Sequence, residues 1–384
     1  MIQKEISEIR RHLTAERNCI GKIYGCYVNC VGEIIASVEQ SVALMPEDEV
    51  ERFLALFKKL LSGGVGRSMM DIPFSNVTVE SGEDYALLTK LRATSCGDAE
   101  TRTQFFRRVI ESVDLKDENY LILLASDTYD VPWRSKDGEE TEKQSDTVFT
   151  YLLCAVCPVS DGKTTLGYDV DAGAFHNCTS AQSVSAPEFG FMFPAFDSRR
   201  ANIYRALYYS RSMDDVHDAF IENFLHAAPP MAAGVQRETF EHVLTETLAE
   251  TCRFDVVQSV HEQLREKIEA HKEAREPEPL ELTPREVGDI LRAGEVPEER
   301  VEAFQEKCTE SFGAGVTLQP GNIVDTKKFR LSTPQVKITV APEYSSQLET
   351  RRINGRKYLL IPVDDGVEVN GVAVRIPDGE GEKE

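Results

Sequence analysis

The chain has 384 residues, enough for two or three domains, and its 41% hydrophobic and 28% charged residues are typical of a globular protein. Its 65 Asp and Glu residues outnumber 43 Lys and Arg residues, which gives a formal net charge of -22. This excess argues against membrane binding and non-specific nucleic-acid binding, because like charges repel. No apolar run approaches the roughly 20 residues of a membrane span, and no signal-peptide pattern is present, so we expect a cytoplasmic protein.

The N-terminal segment predicts a helix, a β-hairpin and a second helix. Apolar residues recur on one face of the first helix: Ile2, Ile6, Ile9 and Leu13. Residues 20–28 and 34–38 read as two strands joined by a short turn. Residues 46–62 carry an apolar stripe, acidic residues at the start and lysines near the end, which together indicate an amphipathic helix.

Two central segments, residues 120–125 and 148–156, are continuously apolar. Such runs are typical of strands that are buried on both faces of a sheet. The polar residues 137–146 between them predict a loop. Upstream, the pattern predicts a strand at 77–79 and helices at 82–94 and 98–113.

The C-terminal third differs in character from the rest. Helices are expected over residues 212–275, and Pro277 and Pro279 end the last of them. Beyond residue 325, Asn354-Gly355 and Asn370-Gly371 indicate two tight hairpins. The predicted fold class is α+β, and its expected parts are a mixed-sheet body with helices (1–275), a linker (276–282), a helical pair (283–314), a β-rich module (325–376) and a disordered tail (377–384).

The cysteines do not form the framework of a secreted protein, since their number is odd and the chain is long. We expect reduced and mostly buried thiols at Cys19, Cys26, Cys30, Cys96, Cys154, Cys157, Cys178, Cys252 and Cys308. Cys154 and Cys157 match a C-x-x-C pattern of redox and zinc sites. They lie in a predicted strand, however, where residues three apart point to opposite faces.

Asp127 and Asp130 follow the first buried segment, at a position where α/β enzymes often hold a metal or a general base. The two carboxylates are expected to come within about 5 Å of each other across a pocket if they share a metal or a proton. The alternative is that they cap the turn after the strand.

Residues 196–211 combine four arginines with three tyrosines within a strongly acidic chain. Arginine forks beside aromatic rings suit phosphate groups and nucleotides, and a helix here would place several of these side chains on one face. The alternative is that the arginines pair with carboxylates while the tyrosines pack in the core. The candidate ligand-binding residues are Arg199, Arg200, Tyr204, Arg205 and Tyr208, together with Asp127 and Asp130.

Long segments of the chain resemble a bacterial family called domain of unknown function 4317, found chiefly in low-GC Gram-positive bacteria. The resemblance covers nearly the whole length and rests on segments such as KEISEIRRHL, LMPEDEVERFLALFKKLLSG, YLILLASDTYDVP, FTYLLCAVCPV and EFGFMFPAFDSRRANIYRALYYSR. It implies a bacterial cytoplasmic protein and carries over no activity, cofactor or site residue.

Three functions follow from these residues. The first is a non-catalytic binding or regulatory protein that uses the Arg/Tyr segment on a small anionic ligand or a protein partner. The second is a hydrolase or phosphate-ester enzyme with Asp127 and Asp130 at a strand end. The third is a thiol-redox or zinc protein that uses Cys154 and Cys157. The sequence ranks them in this order and specifies neither a catalytic residue nor a cofactor.

Overall fold

The computed structural model describes residues 1–115, 118–132, 147–162, 164–169, 174–179, 182–274, 276, 278–313, 315, 317–363, 366–369 and 371–374. The predicted loop at 137–146 and the predicted tail at 377–384 lie outside these residues, as do Pro277 and Asn370. The chain forms two compact units, residues 1–238 with 275–279 and residues 239–274 with 280–384. No helix among the described residues is long and apolar enough to cross a membrane.

The first unit contains one large sheet with helices on both sides. Its helices are α1 (Gln3–His12), α2 (Glu47–Leu60), α3 (Asn76–Ser81), α4 (Glu83–Ala93), α5 (Ala99–Ser112) and α6 (Asp218–Asn223). Its strands are β1 (Lys22–Val28), β2 (Ile34–Ser41), β3 (Met69–Pro73), β4 (Asn119–Asp130), β5 (Val148–Ser160), β6 (Thr164–Asp169), β7 (Ala174–Thr179), β8 (Ser183–Val184), β9 (Phe189–Phe193), β10 (Ala195–Asp197), β11 (Arg200–Asn202) and β12 (Arg205–Ser210). The predicted first hairpin corresponds to β1 and β2, and the predicted amphipathic helix corresponds to α2.

The strand order of the large sheet is β2-β1-β4-β5-β9-β12-β3, with β8 beside β5. The α+β class is confirmed. Every pairing between described strands of this sheet is antiparallel, whereas a mixed sheet was expected. The long strands β4 and β5 are consecutive in the chain and pair with each other directly. They therefore need no helical crossover, which parallel neighbours would require.

Both faces of the sheet are buried, as predicted for the two apolar segments. Alternate residues of β4 face different cores: Ile122 and Leu124 pack with α4, α5 and α6, while Leu123 packs with α1 and α2. Cys154 belongs to the first of these cores and Cys157 to the second. A redox or zinc site that joins these two thiols is therefore excluded, because the sheet lies between them.

Helix α1 lies against the second core and leads to the candidate site. Ile6 and Ile9 on its apolar stripe are fully buried, and so is Leu13, which continues the stripe just beyond the helix. Arg10, Arg11 and His12 occupy the last turn, where cations interact favourably with the negative end of the helix dipole. One helix therefore provides both part of the core and a basic rim.

One local expectation from the sequence is wrong. Residues 77–79 belong to helix α3 and not to a strand, because the Ser75 hydroxyl accepts the Thr78 N–H and caps the helix. The Arg/Tyr segment, for which a helix was only one possibility, is not helical. It forms the β10–β11 hairpin and strand β12, with Ser198 and Arg199 in the left-handed conformation at the turn.

The second unit combines a helical core with small hairpins. Its helices are α7 (Ala233–Leu248, included from residue 239), α8 (Phe254–Ala274), α9 (Pro284–Ala293), α10 (Glu298–Phe312) and α11 (Pro320–Ile323). Its strands form the hairpins β13 (Phe329–Ser332) with β14 (Lys337–Val340), β15 (Glu349–Ile353) with β16 (Arg356–Leu360), and β17 (Val367–Val369) with β18 (Val372–Val374). Helix α9 begins where the helical pair was expected to begin, and Thr283 and Glu286 form a capping box there. Residues 239–274, which the sequence grouped with the body, share a core with α9 and α10. The predicted domain limits themselves stay a prediction.

Asp84 offers a test of how the helices on the first face hold together. This carboxylate on α4 is buried and accepts two hydrogen bonds from Arg108 on α5, at 2.7 and 2.8 Å, and one contact from His226 at 2.8 Å. Burial raises the pKa of Asp84, but the hydrogen bonds from Arg108 and His226 outweigh it, and the net shift is downward. The ion pair therefore stabilises the fold above the unfolded pKa of about 3.9 and is lost as the pH falls through the folded value.

We expect Asp84→Asn to lower the free energy of unfolding by about 3 kcal/mol near neutral pH, since it removes the charge of a buried carboxylate and replaces one of the oxygens that Arg108 and His226 contact with an amide N–H group. The difference from the unsubstituted protein should shrink below about pH 4, where the carboxylate becomes protonated. Urea denaturation across this range measures both effects. Glu111→Gln, which removes the exposed partner of the same Arg108, should cost at most about 1 kcal/mol. Equal losses from the two variants would contradict this account.

Candidate functional site

The candidate site lies where α1 ends and the following loop meets the end of β4. The side chain of Asn18 folds this loop by donating to the carbonyl oxygens of Thr14 and Ala15, at 2.7 and 3.2 Å. The backbone N–H of Cys19 then donates to Asp127 Oδ1 at 2.8 Å, across 108 residues of sequence. Asp127 thus fastens the loop to the sheet.

Asp127 is a buried carboxylate whose hydrogen bonds are mostly satisfied. Its Oδ1 atom accepts the N–H groups of Cys19 and Thr128, both at 2.8 Å. Its Oδ2 atom accepts the Tyr151 hydroxyl at 2.7 Å. Tyr151 lies directly opposite Asp127 in the β4–β5 register. Burial, followed by the nearby Asp127 carboxylate, raises the pKa of Tyr151 well above its usual value, so this hydroxyl stays protonated and donates.

His12 approaches the same carboxylate from α1. Its Nε2 atom lies 3.3 Å from Asp127 Oδ2, and only 10% of its side chain is exposed. Nε2 nevertheless makes no hydrogen bond to any described residue. The imidazole also packs against the Tyr129 ring at a centroid distance of 5.0 Å. His12 is therefore a largely buried histidine whose Nε2 atom faces the Asp127 carboxylate without completing a hydrogen bond to it.

The thiol of Cys19 completes a group of three side chains. One donor atom each from His12, Cys19 and Asp127 lies within 4.8 Å of the other two. Burial is the main cause that raises the pKa of Cys19, and the charges of Asp127 and Asp130 raise it further. A thiol in such surroundings stays protonated, which argues against a cysteine nucleophile activated by His12.

The carboxylate pair predicted from the sequence is not what surrounds Asp127. Asp127 is fully buried, whereas Asp130 is exposed at the last position of β4. The groups that contact Asp127 are Tyr151, His12 and two backbone N–H groups. The local reading as a capping residue accounts for the Thr128 contact but not for the other partners.

The candidate residues of the Arg/Tyr segment do not share one exposed face. Arg199 is held by Glu8 on α1 at 3.2 Å and donates to the Pro132 carbonyl oxygen at 2.7 Å. Arg205 pairs with Asp71 at 3.1 Å. The Tyr208 side chain is fully buried, and its hydroxyl donates to the Val216 carbonyl oxygen at 2.9 Å. Pairing and packing thus account for these three residues.

Arg200 and Tyr204 are exposed, as Arg205 is, but neither of their side chains forms an ion pair with a described residue. Tyr204 stands between β11 and β12, and Arg200 begins β11. Their role in ligand binding stays a prediction.

Two adjoining pockets surround the end of α1. The first has a volume of about 670 Å³ and is lined by Ser7, Arg10, Arg11, Thr14, Glu16, Arg17 and Lys58. The second, of about 390 Å³, is lined by Lys4, Glu8, Arg11, His12, Arg17, Tyr129 and Pro132. Arg11 and Arg17 line both pockets, so the basic surface continues up to His12.

The larger pocket is lined by four cations and one carboxylate, Glu16. Within the part of the chain that the structure describes, Arg10, Arg11, Arg17 and Lys58 form no ion pair. The hydroxyl of Thr14 is buried there and has no hydrogen-bond partner among the described residues. Arginines elsewhere, such as Arg108 and Arg199, do pair with carboxylates. The pocket is therefore suited to an anion.

Comparison with known families agrees with the resemblance seen in the sequence. The model of the family described as Domain of unknown function (DUF4317) matches residues 1–372. The chain belongs to this family. The match spans both compact units of this DUF4317 member, and it includes every residue of the candidate site. No curated protein matches the chain.

Sequence reasoning missed His12, Cys19 and the cations around α1. His12 and Cys19 lie within one short stretch, but Asp127, the group that unites them, is 108 residues beyond Cys19. The paired arginines of the opening segment were visible only as the polar side of an amphipathic helix. Arg17 and Lys58 join them through the fold, so no spacing rule points to the set.

Tyr151→Phe tests how firmly Asp127 is held. The substitution removes one donor from a buried carboxylate oxygen, and we expect it to lower the free energy of unfolding by about 1–3 kcal/mol, measured by urea denaturation. Tyr27→Phe is the matched control, because the Tyr27 hydroxyl donates to Gln182 at 2.8 Å on the exposed surface. Its effect should stay within about 0.5 kcal/mol. A loss no larger than that of the control would contradict the role assigned to Tyr151.

Proposed function

We propose that this protein is a cytoplasmic binding or regulatory protein whose ligand is a small phosphate-bearing anion, held in the pocket at the end of α1. The observation that carries the proposal is the group of cations formed by Arg10, Arg11, Arg17 and Lys58, none of which forms an ion pair with a described carboxylate. The cytoplasmic location is supported by free cysteines throughout the described residues.

Charge is the first argument. In a chain with 65 acidic and 43 basic residues, an arginine has many carboxylates with which to pair. The four cations outnumber Glu16, the one carboxylate among the residues that line the pocket, and form no ion pair with a described residue. They therefore repel one another, and a bound anion relieves this repulsion. Such a cluster in an acidic protein is therefore typical of a ligand site.

The chemistry of the lining selects the class of anion. The guanidinium fork of arginine matches the oxygens of a phosphate group in two parallel hydrogen bonds. The Thr14 hydroxyl supplies a further donor. Tyr129 and Pro132 in the adjoining pocket offer apolar contact for the remainder of the ligand. The volume of about 670 Å³ lies within the range of small-molecule sites.

A small ligand fits better than a polymer. The net charge of -22 repels a nucleic acid along its whole length, while one or two phosphate groups meet only the local field of the pocket. The Arg200 and Tyr204 side chains, exposed on the β10–β12 segment, remain candidates for contact with a protein partner.

A second candidate function is hydrolysis of a phosphate ester in the smaller pocket. The observation in its favour is the short distance of 3.3 Å between His12 Nε2 and the buried Asp127 carboxylate, next to Arg11 and Arg17. An oriented histidine beside phosphate-binding cations can act as a general base on water. Release of inorganic phosphate from a bound phosphate ester, lost in His12→Gln, distinguishes this function from binding alone.

Binding of pyrophosphate and ATP by calorimetry tests the main proposal. We expect the double variant Arg11→Ala/Arg17→Ala to weaken binding at least about 100-fold, since a hydrogen bond to a charged group contributes about 1.5–3 kcal/mol. Raising the salt concentration should weaken binding in the unsubstituted protein.

The matched control is Arg52→Ala/Arg107→Ala, which removes the same charge from exposed positions on α2 and α5. It should leave the affinity within about threefold, since exposed charges at a distance are screened. The proposal would be overturned if the unsubstituted protein bound neither pyrophosphate nor ATP. It would also be overturned if the two double variants lost affinity equally.

A further inference from the structure

Three side chains with different ligand chemistry converge beside the basic pockets. His12 is the last residue of α1, Cys19 lies in the loop that follows, and Asp127 is on β4. One donor atom from each lies within 4.8 Å of the others. Atoms bound to one tetrahedral zinc ion lie about 3.3–3.8 Å apart, as its bond lengths of about 2.0–2.3 Å require. A shift of about 1 Å, chiefly of the exposed Cys19, therefore brings the three into coordination geometry.

The carboxylate of Asp127 is already oriented as a ligand. Tyr151 and two backbone N–H groups occupy three of its lone-pair positions. A carboxylate offers about four such positions, so one is left, and His12 lies 3.3 Å from Oδ2. Metal-bound carboxylates are commonly fixed by outer hydrogen bonds of this kind.

The environments of His12 and of the Cys19 thiol both favour a bound cation. Nε2 of His12 is buried and has no hydrogen-bond partner among the described residues, an arrangement that costs free energy unless a ligand occupies the position. Asp127 and Asp130 create a negative field at the Cys19 sulfur. A cation placed between these groups satisfies the imidazole and offsets the negative charge.

We propose that His12, Cys19 and Asp127 bind one zinc ion, with the fourth position open to water or a ligand. Thiolate, imidazole and carboxylate together are the donor set that zinc prefers, whereas magnesium and calcium take oxygen ligands. On binding, the zinc–sulfur bond replaces the sulfur–hydrogen bond of Cys19, and the proton passes to the buffer. Because His12 also lines the smaller pocket, the open position lies next to Arg11 and Arg17. This site is independent of the proposed anion binding.

The test uses the full chain after removal of metal by a chelator, in a buffer free of phosphate. Titration with zinc against a chromophoric chelator should give one ion per chain. Cys19→Ser and His12→Gln should each weaken zinc binding by more than the roughly 10–100-fold that loss of an outer-shell partner costs. Tyr151→Phe, which removes such an outer partner, should fall within that smaller range.

Cys30→Ser is the matched control, because Cys30 is the other exposed thiol among the described cysteines. It should retain zinc affinity. Cobalt in place of zinc reports the sulfur directly, through a thiolate-to-cobalt absorption band that Cys19→Ser should abolish and Cys30→Ser should preserve.

Circular dichroism checks that each variant is folded. If His12→Gln unfolds, Cys19→Ser still tests zinc binding, because Cys19 is exposed and its substitution disturbs the core less. Less than one zinc ion per chain in the unsubstituted protein would overturn the inference. So would an unchanged affinity, or a retained cobalt band, in Cys19→Ser. If the unsubstituted protein binds zinc but neither pyrophosphate nor ATP, the result counts against the proposed anion binding and not against the zinc site.

Discussion

The structure of the first unit depends on two long strands, β4 and β5, which are paired along their length and covered on both faces. Burial of apolar surface on two sides stabilises such strands more than burial on one, and it leaves no room for irregular pairing. Gly190 on β9 shows how tight the sheet is, since a Cβ atom there would collide with the Cys154 carbonyl oxygen. The helices on each face, and the loops between them, take their positions from this sheet.

The polar site is built where this apolar sheet ends. Asp127 and Tyr151 lie opposite each other in the β4–β5 register, and the Tyr151 hydroxyl donates to the Asp127 carboxylate. Of the remaining positions on the carboxylate, two accept the backbone N–H groups of Cys19 and Thr128, and the last faces His12. A single buried charge thus joins the sheet, a loop and a helix, which explains how distant parts of the sequence form one site.

Periodicity made much of this fold predictable. The continuous apolar runs predicted β4 and β5, and the apolar stripe predicted α2. Residues 77–79 were misread because their β-branched residues favour a strand, while the cap at Ser75 decides for a helix. The two interpretations of the Arg/Tyr segment could not be separated from the sequence, because Glu8 and Asp71, the partners of Arg199 and Arg205, lie far away in sequence. Local pattern carries no information about such pairs, nor about the meeting of His12, Cys19 and Asp127.

Helix α1 is short, and its two sides serve different purposes: Ile6 and Ile9 pack in the core, whereas Arg10 and Arg11 face the pocket. Transient opening of this helix exposes apolar surface and dismantles the pocket in the same event. Occupancy of the pocket and slow hydrogen exchange at the α1 amides are consequently linked, and a ligand reduces the opening of α1 in proportion to its concentration relative to its dissociation constant.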